Sequence, residues 1–186
     1  MTRIVGGDWG GRRLVTPPGE TTRPTSEKVR AALASSLFAT GGLVGARVLD
    51  LYAGSGALGL ELVSRGASSA VFVERDRAAL ASLRQNVNAL GGRGLTVLPG
   101  DVNGVAGRLT GSGPFDVVLA DPPYDVGTDQ LLAVFTGLLA AGVLAAHADL
   151  IMERGRQSGE PQWPPPLAAL RSRRYGDTLL CYGRAP

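Results

Sequence analysis

From Arg47 onward, short apolar runs alternate with stretches of helix length, and that rhythm predicts a parallel sheet covered by helices. The runs are Val48-Leu49-Asp50-Leu51, Ala70-Val71-Phe72-Val73-Glu74, Leu95-Thr96-Val97-Leu98, Phe115-Asp116-Val117-Val118-Leu119-Ala120 and Leu150-Ile151-Met152-Glu153. Helices are expected between them over residues 57–65, 77–90, 102–109 and 128–141. Connections of that size place neighbouring strands parallel, with right-handed crossovers. After Trp163-Pro164-Pro165-Pro166, the segments 170–175 and 178–182 meet at Gly176-Asp177 and predict a closing antiparallel pair. Upstream, Ile4-Val5 and Leu14-Val15 flank a glycine-rich turn at 6–11 and predict a short hairpin. A Pro/Thr-rich connection over 16–24 follows. Thr25 then caps a helix whose Val29, Leu33 and Leu37 share one face and which ends near Gly41-Gly42.

At 186 residues the chain suits one core, so the expected organisation is an appendage over 1–24 and a single domain over 25–186. No run of about 18 apolar residues is present, and Met1-Thr2-Arg3-Ile4-Val5-Gly6-Gly7 lacks a secretory apolar segment, so a cytoplasmic protein with no membrane partner is expected. The single cysteine, Cys181, forms no internal disulfide, and its strand-like surroundings predict packing. Residues 1–30 hold six basic groups against three acids, while the remainder balances. The net charge of +3 therefore arises in the N-terminal segment, where a phosphate-contacting surface competes with an ordinary solvated face.

Gly54-Ser55-Gly56-Ala57-Leu58-Gly59 matches the dinucleotide fingerprint G-x-G-x-x-G, follows a strand, opens a helix, and has Glu74 twenty residues after its first glycine. Charge separates a dinucleotide from other nucleoside ligands. A pyrophosphate sits against the helix N-terminus. Here Asp50, followed by Leu51-Tyr52-Ala53, brings a carboxylate to that loop and opposes an anion. S-adenosylmethionine carries an ammonium and a sulfonium, and Asp50 can hold the ammonium. Gly54 and Gly56 then let the backbone approach the ligand without Cβ contacts, with Ser55 between them also assigned to the cofactor. Glu74 can accept the ribose hydroxyls. Asp101, in Pro99-Gly100-Asp101, can meet the adenine amine or cap the following helix, and the backbone nitrogen of Val102 can serve adenine equally well. No metal ligands are assigned.

Asp121-Pro122-Pro123-Tyr124 leaves the C-terminal end of an apolar strand, where open α/β sheets bind ligands. An exocyclic base amine is a poor nucleophile, because its lone pair is delocalised into the ring. The Asp121 carboxylate and the Pro122 carbonyl can accept its two N–H protons and aim the lone pair at a methyl group. Two prolines restrict the corner before substrate arrives. Tyr124 offers a flat face to a base taken out of its helix. The amine becomes acidic only as the new bond forms, so either Asp121 or water can take its proton. Asp125 is expected to cap the next helix.

These residues resemble class I methyltransferases and, within them, the bacterial 16S rRNA guanine-N2 methyltransferases of the RsmD type, which modify guanine 966. The resemblance runs nearly end to end. It is carried by Arg3-Ile4-Val5-Gly6-Gly7 with Gly11-Arg12-Arg13-Leu14, by Arg23-Pro24-Thr25 with Val29-Arg30, by the stretch from Asp50 to Gly59, by Asp121-Pro122-Pro123-Tyr124 and by Tyr175-Gly176-Asp177-Thr178. It implies a Rossmann-like α/β fold with a seven-stranded, mostly parallel sheet of order 3-2-1-4-5-7-6, whose seventh strand is antiparallel, preceded by a hairpin that helps to hold RNA. It further implies S-adenosylmethionine as cofactor and 16S rRNA, within an assembling 30S particle, as partner of a monomeric enzyme. Arg3, Arg12, Arg13, Arg23 and Thr25 are the implied RNA-side residues. Ala34 departs from the family pattern, which carries Phe there. His147 matches no motif. Similar tetrapeptides occur in DNA adenine-N6 methyltransferases and, with Asn first, in enzymes that modify glutamine, and a non-catalytic RNA-binding protein of this fold is the reading from another class.

Overall fold

In a computed structural model the described residues are 2–18, 26–123 and 125–186. The expected rhythm becomes β3 (Arg47–Leu51), α2 (Ala57–Ser64), β4 (Ser69–Glu74), α3 (Arg77–Ala89), β5 (Leu95–Pro99), β6 (Phe115–Ala120), α4 (Thr128–Ala140), β7 (Leu144–Gly155), β8 (Ala168–Tyr175) and β9 (Thr178–Arg184). Before them come β1 (Thr2–Arg3), β2 (Arg13–Leu14) and α1 (Glu27–Ala39). The large sheet has the order β5-β4-β3-β6-β7-β9-β8, with β9 antiparallel to both neighbours. Counted from β3, that is 3-2-1-4-5-7-6, as the resemblance implied.

The central strands are apolar on both faces because helices cover both. Leu49, Leu51 and Val118 face one cluster with Phe135 and Leu138 of α4, while Val48, Val117 and Leu119 face another with α1, α2 and α3. Ala34 is fully buried in the second cluster, so the departure from Phe is absorbed by helix packing and not by a cavity wall. Cys181 is buried in β9, as packing requires.

Several local expectations are corrected. Ser26, not Thr25, caps α1, its side chain accepting from the Val29 N–H. The helix expected over 102–109 shrinks to a 3-10 turn at Val105–Arg108 entered through Gly104. α4 starts from Gly127 without a side-chain cap, so Asp125 does not cap it. β7 begins six residues early, at Leu144, and passes through His147 with φ 60°, an exposed residue whose N–H donates to the Pro186 carbonyl.

The hairpin ladder is Thr2–Arg3 with Arg13–Leu14, two residues earlier on the first arm and one earlier on the second than the apolar pairs that predicted it. Buried polar side chains of the main body explain the shift. The Glu61 carboxylate accepts the N–H groups of Val5 and Gly6 at 2.7 and 3.1 Å, removing them from any ladder. Arg30 donates to Thr2 Oγ1 and to the Arg3 carbonyl. Asn86 Oδ1 accepts from Val15 N at 2.8 Å, and its Nδ2 donates to both the Val15 and Ser55 carbonyls at 2.9 Å. Ile4 and Leu14 meanwhile bury in the same cluster as α1 and α2. The hairpin has no core of its own.

Candidate active site

Strand register assembles the site. Leu51 is level with Val73 of β4 on one side and Ala120 of β6 on the other. Asp50 therefore lies one residue before that row, and Glu74 and Asp121 lie one residue after it. Three carboxylates from three adjacent strands meet at the carboxyl edge of the sheet, where the strand order reverses between β3 and β6. A cavity of about 700 Å³ opens there, a volume typical of small-ligand sites. Asp50, Tyr52, Ala53, Gly54, Ser55, Glu74, Val102, Asp121, Pro122 and Pro123 line it, as expected from the sequence. Tyr124, Arg23 and Thr25 lie outside the described residues.

Asp50 is 2% exposed, and its Oδ2 accepts the Gly59 N–H at 2.9 Å. Loss of water raises its pKa well above the usual carboxylate range, and the charges of Asp121 and Glu74 raise it further, against the Gly59 hydrogen bond. A Cβ at position 59 would fall 2.6 Å from the Phe72 ring and 2.8 Å from Asp50 Oδ2, so only glycine lets α2 approach this carboxylate. Gly56, in contrast, is not part of the cavity wall. Its φ of 82° and a clash of any Cβ with Leu83 at 2.5 Å make it a packing glycine.

Glu74 is tied to the backbone. It accepts from Gly54 N at 2.8 Å and from Arg75 N and Asp76 N at 2.7 Å each, filling three of roughly four acceptor positions. Two ribose hydroxyls would have to replace at least one of these. Asp101 does not reach the cavity wall. Its carboxylate pairs with Arg75 at 2.7 Å and accepts from Asn103 N and Nδ2, interactions that hold its pKa down, the Asn103 N–H contributing most. The loop after β3 turns through Tyr52 at φ 58°, and its next N–H, that of Ala53, is fixed by the Val73 carbonyl. The Tyr52 hydroxyl lies buried with no hydrogen-bond partner among the described residues, and burial is the main cause of its raised pKa.

Other wall residues carried no prior assignment. Pro17 and Pro18 bring the hairpin exit to the cavity, Arg30 comes from α1, and Glu153 and Arg154 come from the end of β7. Tyr175, Asp177 and Thr178 close the far side. The last three stood among the family landmarks without a role. Six acids thus face the cavity: Asp50, Glu74, Asp76, Asp121, Glu153 and Asp177. Its three arginines have protein acceptors, since Arg30 holds the hairpin, Arg75 pairs with Asp101, and Arg154 donates to the Val126 carbonyl. Such a wall repels a pyrophosphate and suits a ligand bearing positive charge. Of the expected RNA-side arginines, Arg3 pairs with Glu27 at 3.3 Å, Arg12 donates to the Ala89 carbonyl at the end of α3, and Arg13 is exposed.

A seven-stranded sheet of this order, with a glycine loop and acids at its switch point, defines an S-adenosylmethionine-dependent methyltransferase of class I. Comparisons with known proteins agree. The family model described as conserved hypothetical protein 95 matches residues 2–184. Ribosomal RNA small subunit methyltransferase D of Escherichia coli K12 is 38% identical over 164 residues, covering 87% of this chain and 79% of that protein. The Bacillus subtilis 168 protein YlbH, a candidate rRNA methyltransferase, is 32% identical and covers 95% of each chain. A solved structure of yhhF, a candidate methyltransferase from Escherichia coli, superposes with a TM-score of 0.82 at 34% identity, covering 98% of this chain and 97% of that one. The chain belongs to the ribosomal RNA small subunit methyltransferase D family.

Proposed function

We propose that this protein methylates the exocyclic N2 amine of a guanine in the RNA of the small ribosomal subunit, at a position of the guanine 966 type. The acid-lined cavity at the sheet's switch point is the observation that carries the reading, because it selects a cationic cofactor where the same loop elsewhere holds phosphates. The relatives' action on small-subunit RNA supports the substrate class.

When bound, S-adenosylmethionine supplies a methyl group on a sulfonium centre. Asp50, short of water and crowded by Asp121 and Glu74, would hold the ammonium, whose charge offsets the burial that raises its pKa. Gly54 and Ser55 form the floor, Glu74 takes the ribose edge, and Val102 lies on the adenine side. Asp121 and the Pro122 carbonyl accept the two N–H groups of the target amine and direct its lone pair. The proton passes to Asp121 or to water as the new bond forms. Tyr124 stacks on the extruded base. Residues 1–24 act as an RNA-holding appendage on the domain formed by 25–186, with Arg3, Arg12, Arg13, Arg23 and Thr25 on the RNA side. The enzyme works as a cytoplasmic monomer on an assembling 30S particle.

The test is methyl transfer to deproteinised 16S rRNA and to small-subunit particles lacking the modification, followed by mass spectrometry of the digested nucleosides. N2-methylguanosine is the expected product. N6-methyladenosine would replace the guanine reading, and transfer to naked RNA alone would remove the particle from the proposal.

A further inference from the structure

The balance of charge beyond residue 30 is a cancellation between two unlike parts. Residues 31–153 hold seven arginines against eleven acids, while residues 154–186 hold six arginines against two acids. The closing part of the sheet is thus a second basic region. Three of its arginines are engaged: Arg154 with the Val126 carbonyl, Arg184 with Asp149, and Arg171 with Ser36 Oγ while it lies 4.3 Å over the Tyr182 ring. The other three, Arg156, Arg173 and Arg174, are exposed and make no side-chain hydrogen bond or ion pair among the described residues.

Their placement is specific. Arg156 opens the 3-10 turn after β7, and its N–H donates to the Asp177 carbonyl at 2.8 Å, which sets that turn against the β8–β9 connection. Arg173 and Arg174 end β8 immediately before Tyr175. Gly155, Tyr175 and Asp177 all line the cavity, so each exposed arginine is within two residues of its wall. Edge strands commonly carry charge to block pairing with other chains. That role would place arginines along the whole edge, yet Ala168, Ala169 and Leu170 are exposed and uncharged, and the charge gathers at the end beside the cavity. Positions 173 and 174 point to opposite faces of the strand, so the charge wraps the edge. Of the hairpin arginines, Arg12 reaches the C-terminal end of α3 and Arg3 pairs with Glu27 of α1, so neither is engaged at the edge that β8 forms.

We propose that Arg156, Arg173 and Arg174 form a second contact for RNA backbone phosphates, holding the strand that flanks the target base. The inference rests on the reading of the substrate as RNA. Arginine suits the task, because its planar fork can take two phosphate oxygens and remains charged at every working pH.

The test compares the wild type with R156S/R173S/R174S and with R156K/R173K/R174K, using the full chain and deproteinised 16S rRNA. Each neutralised phosphate contact contributes to the dependence of affinity on salt. The serine variant should bind RNA on the order of 30-fold more weakly near 0.1 M salt, with a salt slope shallower by about two units. The lysine variant should recover most of the slope, and all three proteins should bind S-adenosylmethionine alike, which establishes that the variants are folded. Unchanged RNA affinity and slope in the serine variant, beside a wild type that binds and methylates rRNA, would overturn the inference alone. A loss seen only with small-subunit particles and not with naked RNA would reassign the surface to a ribosomal protein and overturn it as well. A wild type that neither binds nor methylates rRNA would instead bring down the substrate reading, and this inference with it.

Discussion

β3 and β6 lie side by side, each delivering an aspartate to the same cavity, yet the two carboxyl groups live under different physics. Asp50 sits inside its strand, cut off from water and held by Gly59 of a helix that only a glycine brings close enough. Asp121 stands after its strand, half-exposed, on a backbone limited by the two prolines that follow. The first is a dry carboxyl whose ionisation its surroundings oppose, a penalty that the ammonium of the proposed cofactor would offset. The second is half-exposed and pre-shaped, which under the proposed function suits an acceptor for a neutral amine. Burial sets apart groups of one residue type that lie one residue to either side of the same row of the sheet.

The largest effect that separates them is expected from Asp121→Ala. Transfer should fall by about 10²–10³-fold or more, as for removal of an electrostatic group at a reacting centre, with cofactor affinity little changed. Single-turnover tritiated methyl transfer and calorimetric titration read the two quantities, and retained transfer would break the contrast. Asp50→Asn should do the reverse, weakening S-adenosylmethionine by roughly 10–100-fold, the range of a charge-assisted hydrogen bond. The asparagine oxygen can still accept the Gly59 N–H, so the free protein should melt no lower than the wild type near neutral pH.

Gly59→Ala tests the packing that buries Asp50. The added methyl has no room against Phe72 and Asp50, and overpacking of this kind costs about 1–3 kcal/mol, readable by denaturant unfolding. The smallest effect is a proton count. Because burial raises the pKa of Asp50, the free protein binds extra protons between the ordinary carboxylate range and that raised value. Stability from this group is present at the acid end of that window and is lost as pH rises through the raised pKa. Cofactor affinity moves the other way, and binding inside the window should release up to about one proton. Calorimetry in buffers of different ionisation enthalpy measures it. Asp50→Asn should abolish the release, whereas Asp121→Ala should leave most of it.

The parts of this molecule legible in its sequence are those governed by period and by short-range chemistry. Apolar runs located five of the main strands and the turn at Gly176-Asp177 the closing pair, and the acids at 50, 74 and 121 were visible because they stand within, at the end of and just after such runs. The strand order came through likeness to a family and not through pattern. What escaped was set by contacts between distant segments. Nothing near Val5 signals that its N–H is claimed by Glu61, and so the hairpin ladder was misplaced. Asp101 looked available until Arg75, from the loop after β4, was brought within 2.7 Å of it. Leu144-Ala145-Ala146-His147 has the composition of a helix end, but its backbone is drawn into β7 beside β6 and is met by the chain's last carbonyl. Arg156, Arg173 and Arg174 were hidden by arithmetic, since a balanced total conceals opposite halves.

The amide of Asn86 has a practical consequence for anyone who shortens this chain. One side chain holds both carbonyl and N–H of Val15, where the hairpin leaves, and the carbonyl of Ser55, in the wall of the candidate cofactor cavity. Removing the first fifteen residues takes away two of that amide's partners and releases the segment through which Pro17 and Pro18 complete the cavity wall. A truncated protein would then have a damaged candidate cofactor site as well as no hairpin. Weaker methylation by such a deletion is uninterpretable as lost grip on RNA until its affinity for the methyl donor has been measured beside it.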